Sequence, residues 1–146
     1  IRWEDEKVSI HKQCHKMLDS FDEESGKFNM PVLSKNEAED FEFAEDLLTY
    51  AYRNFDDYQA LINKSTPGWD AERIAQGDLI FMILSITEFL NFPHIPPKVT
   101  LNEYLELAKK YSTPKSSKFL NGILDRLMKE WKKEGKMIKK GRGLVE

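Results

Sequence analysis

The sequence predicts an all-α domain of about six helices that ends in a basic tail. Apolar residues recur three or four positions apart in every periodic segment, and none alternates as a half-buried strand does. Two segments carry the Ser/Thr-x-x-Glu signature of a helix N-terminus, Ser34–Glu37 and Thr100–Glu103. A chain of 146 residues suits one domain, which we place at 1–134, and we expect 135–146 to be a flexible basic tail.

Three helices are predicted in the first half of the chain. The apolar face of the first consists of Trp3, Ile10, Cys14, Met17 and Phe21. The second follows the signature at Ser34, and its predicted inner face consists of Phe41, Ala44, Leu47, Leu48, Ala51 and Phe55. The third is shorter, ends before the helix breakers Pro67 and Gly68, and carries Tyr58, Leu61 and Ile62.

Three more helices are predicted in the second half. Asp70 should cap a helix from about Ala71 to Leu90, which is apolar nearly all round in its second half and should therefore be the central, buried one. After a proline-rich connector, Thr100 should open a helix with the apolar side Leu101, Tyr104, Leu105, Ala108 and Tyr111. Thr113 and Pro114 are start signals for the last helix, whose stripe is Leu120, Ile123, Leu124, Leu127, Met128 and Trp131. We interpret Gly122 as allowing a close helix crossing.

The charge distribution and the apolar runs limit the class of protein. The net charge is −3, yet eight basic and two acidic residues between Arg126 and Arg142 give that end +6 and leave −9 for the rest. Such an end suits either an anionic partner or a solvated tail. The longest apolar run, Leu79 to Ile86, is too short to span a membrane. Because the chain has one cysteine and no signal peptide before Ile1, we expect a cytoplasmic protein. We also expect the sequence to be trimmed or to be part of a longer chain.

Metal binding and catalysis have little support in the sequence. His11, Cys14 and His15 share a helical face with a spacing that could begin a zinc site, and His94 or Asp19 would have to complete it. We expect Cys14 to be a core residue instead and the histidines to be surface residues, with no metal or cofactor. No nucleophile, base and orienting acid occur at a recognisable spacing, so we expect no enzyme.

The segment from Glu72 to Asp125 resembles the family of the bacterial transcription antitermination factor NusB. The closest matches in residue and spacing are "PPKVTLNEYLELAKKY" and "KFLNGILD". The resemblance implies an all-α domain of two helical halves that is not an enzyme. It also implies a complex with the ribosomal protein NusE that holds a single-stranded boxA element of nascent RNA, so that RNA polymerase complexes resist termination.

The resemblance places functional residues on two helices. It implies an RNA-binding surface at the start of the last helix, consisting of Lys115, Ser116, Ser117, Lys118 and Phe119. It also implies that Asp78 belongs to the face that meets NusE, which Glu72 borders, and we expect Asp78 at the rim because an acidic residue on an apolar helix is costly elsewhere.

The chemistry of this helix start suits RNA. Lysines in a first turn oppose the helix dipole, whereas free N–H groups, hydroxyls and lysines together suit a phosphate. Phe119 offers a ring on which a base can stack. The structural alternative is that Phe119 is a core residue and the lysines only solubilise the helix.

One departure from the family concerns the first helix, which is rich in arginine in family members. Here Glu4, Asp5 and Glu6 stand in its first turns. Either the RNA surface has moved toward the basic tail, or RNA-binding sequence lies upstream of Ile1. Two alternative functions are a protein-binding scaffold without RNA and the RNA-binding domain of an RNA methyltransferase. The latter needs a catalytic domain downstream, whereas Glu146 is typical of a natural chain end.

Overall fold

A computed structural model describes residues 3–27, 36–66 and 74–144. Six α-helices lie in these ranges, with only an isolated bridge between Asp22 and Lys27 in place of strands, so the all-α prediction is confirmed. The helices are α1 Trp3–Asp19, α2 Glu37–Arg53, α3 Phe55–Ser65, α4 Gln76–Asn91, α5 Pro97–Tyr111 and α6 Ser116–Glu134, followed by a 3-10 turn at Gly141–Leu144. The chain divides into two compact units, residues 1–40 and 41–146.

The first unit contains α1 and a tight turn after it. The Asp22 carboxylate accepts hydrogen bonds from Ser25 Oγ at 2.6 Å and from the Glu24 N–H, and these bonds lower the pKa of Asp22. Gly26 closes the turn with a φ of +65°, where a side chain would be strained. Cys14 on α1 is exposed, so the prediction that it is a core residue is wrong.

The helix α2 is capped by a residue close to the predicted one. Asn36 Oδ1 accepts the Glu39 N–H at 3.4 Å, whereas Ser34 lies outside the described residues. The predicted inner face is only partly buried: Ala51 joins the core, but Phe41 and Leu48 are 69% and 66% exposed. The prediction is wrong for most of this face, since Ala44 and Phe55 are exposed as well, and only Ala51 near the end of α2 belongs to the core.

The core of the second unit is built around α4. This helix packs against α3, α5 and α6 and buries eight of its residues, as predicted for a central helix. The fully buried hydrophobic side chains among the described residues are Ile62, Met82, Ile86, Phe89, Ala108, Leu120, Leu124 and Leu127. Burial of the large aliphatic and aromatic side chains contributes about 1.5 to 3 kcal/mol each.

Two predicted helix starts are wrong. The helix α4 begins at Gln76 rather than near Ala71, because Ala75 has an extended backbone with ψ 135°, and Asp70 lies outside the described residues. The helix α5 begins at Pro97, which suits a first helical position because its missing N–H is not needed there. Thr100 is therefore inside the helix rather than its cap.

The chain after α6 folds back onto the end of α4. Gly135 ends α6 with a φ of +68°, and the N–H groups of Gly135 and Lys136 both bond to the Trp131 carbonyl oxygen. The Lys140 N–H then donates to the Pro93 carbonyl oxygen at 2.9 Å. Residues 136–144, here called the C-terminal segment, lie within the range 135–146 for which we predict a flexible basic tail, and they make the contacts described above.

Candidate functional site

The start of α6 is a turn that leads into the helix. The Ser116 N–H donates to the Thr113 carbonyl oxygen at 2.9 Å, and the first helical bond runs from the Phe119 N–H to the Lys115 carbonyl oxygen. Ser116 Oγ accepts the Thr113 N–H at 3.2 Å, which is the reciprocal bond of a capping box with Ser in place of Glu. Thr113 and Pro114 therefore precede the helix proper, and the predicted start at Pro114 is early by two residues.

Two of the predicted RNA-binding side chains lie on the surface. Lys115 and Lys118 are exposed, and Ser117 is half-buried. Phe119 is also half-buried and packs against the hydrophobic core with part of its surface. The helix start therefore presents two ammonium groups and the accessible part of one aromatic side chain.

The hydroxyl of Ser116 faces inward. Ser116 is only 3% exposed, and its Oγ donates to Asp78 Oδ2 at 2.6 Å. The same oxygen lies 2.8 Å from Thr113 Oγ1 and 2.9 Å from Ser112 Oγ. This hydroxyl belongs to a buried network and leaves Ser117 as the other hydroxyl near the surface lysines.

Asp78 is the acceptor at the centre of this network. It is 5% exposed, so the prediction that it lies at the rim of α4 is wrong. Its two carboxylate oxygens accept hydrogen bonds from Ser112, which follows α5, and from Ser116, which begins α6. These bonds offset the burial of the charge and join three helices at one point. Glu72 lies outside the described residues.

The network connects the two sites that the sequence predicted separately. Asp78 was assigned to a protein-binding face and Ser116 to an RNA-binding surface, and their side chains are directly hydrogen-bonded. The sequence analysis did not predict Ser112 as a site residue, and it predicted Thr113 only as a start signal of the last helix. A signal for the network was present in the sequence, because an acidic residue in an apolar helix needs hydrogen-bond donors and four of the six residues from Ser112 to Ser117 carry a hydroxyl group.

A second buried carboxylate, Glu88, lies at the other end of α4. Its oxygens accept hydrogen bonds from Thr100 Oγ1 at 2.9 Å and from Tyr104 OH at 2.7 Å. Burial, together with the nearby Glu88 charge, raises the pKa of Tyr104. Lys139 of the C-terminal segment donates to the backbone oxygens of Glu88 and Phe92. This cluster fixes α5 and the C-terminal segment on α4.

Two further patterns are absent from the described residues, a membrane-spanning helix and a group of metal ligands. Within residues 3–27, 36–66 and 74–144, no helix has the length and apolar character to cross a membrane. In the same ranges, no three His, Cys, Asp or Glu side chains are grouped as metal ligands would be. His11 and His15 are both exposed on α1.

Comparison with known proteins gives one consistent family. Residues 7–129 match the NusB family. The chain is 36% identical over 104 residues to the transcription antitermination protein NusB of Salinibacter ruber, and 42% identical over 115 residues to that of Chloroherpeton thalassium. These alignments cover 71% and 79% of this chain but 65% and 54% of the two relatives, so the chain spans about half to two thirds of their length.

A solved structure has a similar fold. T. maritima NusB superimposes with a TM-score of 0.62 at 32% sequence identity, over 68% of this chain and 70% of that one.

Proposed function

This chain belongs to the NusB family, and from that premise we propose that it acts as a transcription antitermination factor that binds single-stranded RNA at the start of α6. The proposed partners are a boxA-type RNA, a NusE-like ribosomal protein and the antitermination complex of RNA polymerase in the cytoplasm. The role is one of binding, because the members of this family are not enzymes.

The exposure of Lys115 and Lys118 at a helix N-terminus is the observation that supports RNA binding most directly. The positive end of the helix dipole opposes lysines in this position, and a phosphate between them would remove that conflict. The accessible part of Phe119 suits a stacked base. Ser117 can add a hydroxyl donor to a phosphate oxygen.

The buried position of Asp78 supports a revised role for it in partner binding. We propose that the start of α4 contributes to the face that meets the NusE-like protein, and that Asp78 supports this face from inside by holding Ser112 and Ser116. A partner that stabilises the start of α4 would then also stabilise the start of α6. The proposed contribution of Glu72 to the same face concerns a residue outside the described ranges.

RNA titrations at several salt concentrations test the proposal. Replacing Lys115 and Lys118 by Ala should reduce the magnitude of the slope of log affinity against log salt by about 1.4, since each lost single-strand phosphate contact is worth about 0.7. Folding stability should stay the same or rise slightly. The titrations should be run on a boxA-type RNA with and without the NusE-like partner.

The control variant replaces Lys140 and Arg142, which are also exposed but lie on the C-terminal segment. If these two substitutions reduce the salt slope and the α6 pair does not, the RNA contacts lie on the basic end and the proposal for α6 is wrong. If neither pair changes the slope while the NusE-like protein still binds, the chain is a protein-binding scaffold.

The substitution Phe119→Ala distinguishes stacking of an RNA base on Phe119 from packing of Phe119 in the hydrophobic core. A stacked base predicts a loss of about 1 to 3 kcal/mol in RNA binding with an unchanged salt slope. Because Phe119 is only half-buried, the loss in folding stability should stay below the roughly 3 to 5 kcal/mol of a core phenylalanine. A large stability loss without weaker RNA binding by the folded protein would assign Phe119 to the core alone.

A further inference from the structure

A cavity of about 550 Å³ lies between the start of α5, the second half of α6 and the C-terminal segment. Its floor and walls are largely apolar and include Pro97, Met128, Met137, Ile138 and Leu144. Ile138 and Leu144 are 62% and 67% exposed, so the apolar surface is accessible from solvent. A cavity of this size is within the range of ligand pockets in proteins.

The charged residues of the cavity all have the same sign. Lys98, Lys129, Lys132 and Lys139 line it, and no acidic residue is among its described lining residues. Lys129 also pairs with Asp125 at 2.7 Å, but an exposed ion pair within one helix is weak, and the Asp125 carboxylate can be exchanged for another carboxylate. The Lys139 ammonium is hydrogen-bonded to the backbone oxygens of Glu88 and Phe92, so the site combines an apolar floor with a cationic rim of Lys98, Lys129 and Lys132.

The walls of the cavity are held in place by the folded-back C-terminal segment. Lys139 Nζ donates to the Phe92 carbonyl oxygen at 2.9 Å, and the Lys140 N–H donates to the Pro93 carbonyl oxygen at 2.9 Å. Gly143 is buried against Pro93 so closely that a Cβ atom would overlap the Pro93 carbonyl oxygen. These contacts hold the backbone that carries Ile138 and Leu144 on the end of α4, which reduces the entropic cost of ordering this segment on binding.

We propose that this cavity is a docking site for an acidic peptide segment of a partner protein, with one or two large apolar side chains in the cavity and carboxylates on the lysine rim. Charge complementarity favours an acidic partner, and methionines such as Met128 and Met137 adapt to apolar side chains of different shapes. The site is distinct from the start of α6, and the proposal does not depend on RNA binding there.

The composition of the cavity favours a peptide over RNA. Protein sites for single-stranded RNA combine basic residues with aromatic side chains on which bases stack. The described lining residues include no aromatic side chain. An aliphatic floor instead matches the apolar anchors of a helix or extended peptide that docks in a groove.

Selection from a displayed library of random peptides of about twelve residues tests the proposal on the full chain. Peptides retained by the wild-type chain but not by Ile138→Asp should be rich in Asp and Glu around Leu, Ile, Phe or Met. Ile138 is largely exposed, so this substitution should leave the fold intact, which a thermal melt checks. The selected peptide should bind the wild type at least about tenfold more tightly than Ile138→Asp or Lys98→Glu, equivalent to about 1.4 kcal/mol.

Two controls locate the binding. Lys133→Glu makes the same charge reversal as Lys98→Glu, but Lys133 lies on α6 and outside the cavity lining, so this variant should affect affinity less than about twofold. In a sample with labelled methionine methyl groups, the peptide should shift the signals of Met128 and Met137 and leave those of the buried Met82 unchanged.

Three results would overturn the proposal. The first is that selection yields no binder, or sequences of the same composition for the wild type and Ile138→Asp. The second is that the selected peptide leaves Met128 and Met137 unshifted. The third is that an oligouridine shifts these two methyl signals and competes with the peptide, which would make the cavity a nucleic-acid site instead.

Discussion

The individual residues whose positions could be predicted least well are the buried carboxylates. The spacing of apolar residues places Asp78 and Glu88 on α4, but it does not reveal which side chains from α5 and α6 reach them. Asp78 is buried because Ser112 and Ser116 supply donors from two other elements. The surface positions of Lys115 and Lys118, which depend only on the local helix face, agree with the sequence interpretation.

Asp78→Asn tests how much the network contributes to stability. The amide can still accept one serine hydroxyl, but it loses the charge-assisted bonds to the other, so the free energy of unfolding should fall by about 1 to 2 kcal/mol. Urea denaturation measures this loss. Asp125→Asn, which affects only an exposed pair with Lys129, should change stability by less than about 0.5 kcal/mol. Equal effects of the two substitutions would contradict a special role for the buried network.

Asp78→Asn also distinguishes two possible roles of Asp78 at the partner face, indirect support through the serines and direct contact with the partner. Asp78→Lys would bury an unpaired cation and destabilise the fold by several kcal/mol, so a charge reversal here cannot report on an interface. Asp78→Asn keeps the size of the side chain. If Asp78 only holds Ser112 and Ser116, the folded variant should bind the NusE-like protein with a moderate loss that parallels its loss in stability.

Gly122 shows that a glycine inside a predicted helix does not always mark a close contact between helices. We interpreted it as a close helix crossing, yet an added Cβ atom would have no neighbour within 4 Å, so this interpretation is wrong. Gly122→Ala should therefore stabilise the protein by about 0.5 to 1 kcal/mol through the higher helix propensity of alanine. Gly135→Ala should destabilise it, because Gly135 has a φ of +68°. A thermal melt in which Gly122→Ala lowers Tm would show a packing role.

At the scale of elements, the helices could be predicted and their starts could not. Periodicity identifies all six helices because the spacing of apolar residues is a property of the whole helix. Among the described side chains, α3 to α6 each bury apolar residues, whereas α2 buries only Ala51 and those of α1 are exposed or half-buried. The first residue of a helix depends instead on the few residues around it. At α5, Pro97 begins the helix, and the nearby Thr100 bonds to Glu88 rather than acting as the predicted cap. The Thr100 hydroxyl, which the sequence predicts as a helix cap, instead connects α5 to α4.

The contacts of the C-terminal segment cannot be predicted from its charge. Gly143→Ala should displace it from Pro93, because the close contact leaves no room for a methyl group. Amide exchange at Lys140 and Gly143, whose N–H groups are hydrogen-bonded in the structure, should accelerate at least about tenfold while the buried part of α4 keeps its protection. Slow exchange at both amides in this variant would contradict the described contact.

For the molecule as a whole, α4 is the element that relates the proposed activities. The buried network of Asp78 at its start holds the beginning of α6, where RNA binding is proposed. The Glu88 cluster at its end holds α5 and the C-terminal segment, which form two walls of the proposed peptide site. The two sites are therefore fixed by different buried carboxylates, and damage to one network should leave the other site functional.

The dependence of stability on pH tests the second of these networks. Burial lowers the pKa of Lys139 from 10.5 to about 8, and the opposing attraction of Glu88 is smaller. Between about pH 8 and 10.5 the folded protein therefore binds fewer protons at this residue than the unfolded chain does, so the Lys139 contribution to the free energy of unfolding should rise with pH. The pKa of Tyr104 is raised above its ordinary value of 10. Above pH 10 the Tyr104 contribution to the free energy of unfolding should therefore fall with pH.

The informative range is thus about pH 8 to 9.5, where Lys139 changes and Tyr104 does not. Urea denaturation across this range should show a smaller rise in stability for Lys139→Met than for the wild type, whatever the difference between them at pH 7. Lys140→Met is the matched control, because Lys140 is exposed and contacts Pro93 through its backbone rather than its side chain. Its profile should run parallel to that of the wild type. Parallel profiles for all three proteins would mean that the Lys139 side chain is solvated and does not anchor the C-terminal segment on α4.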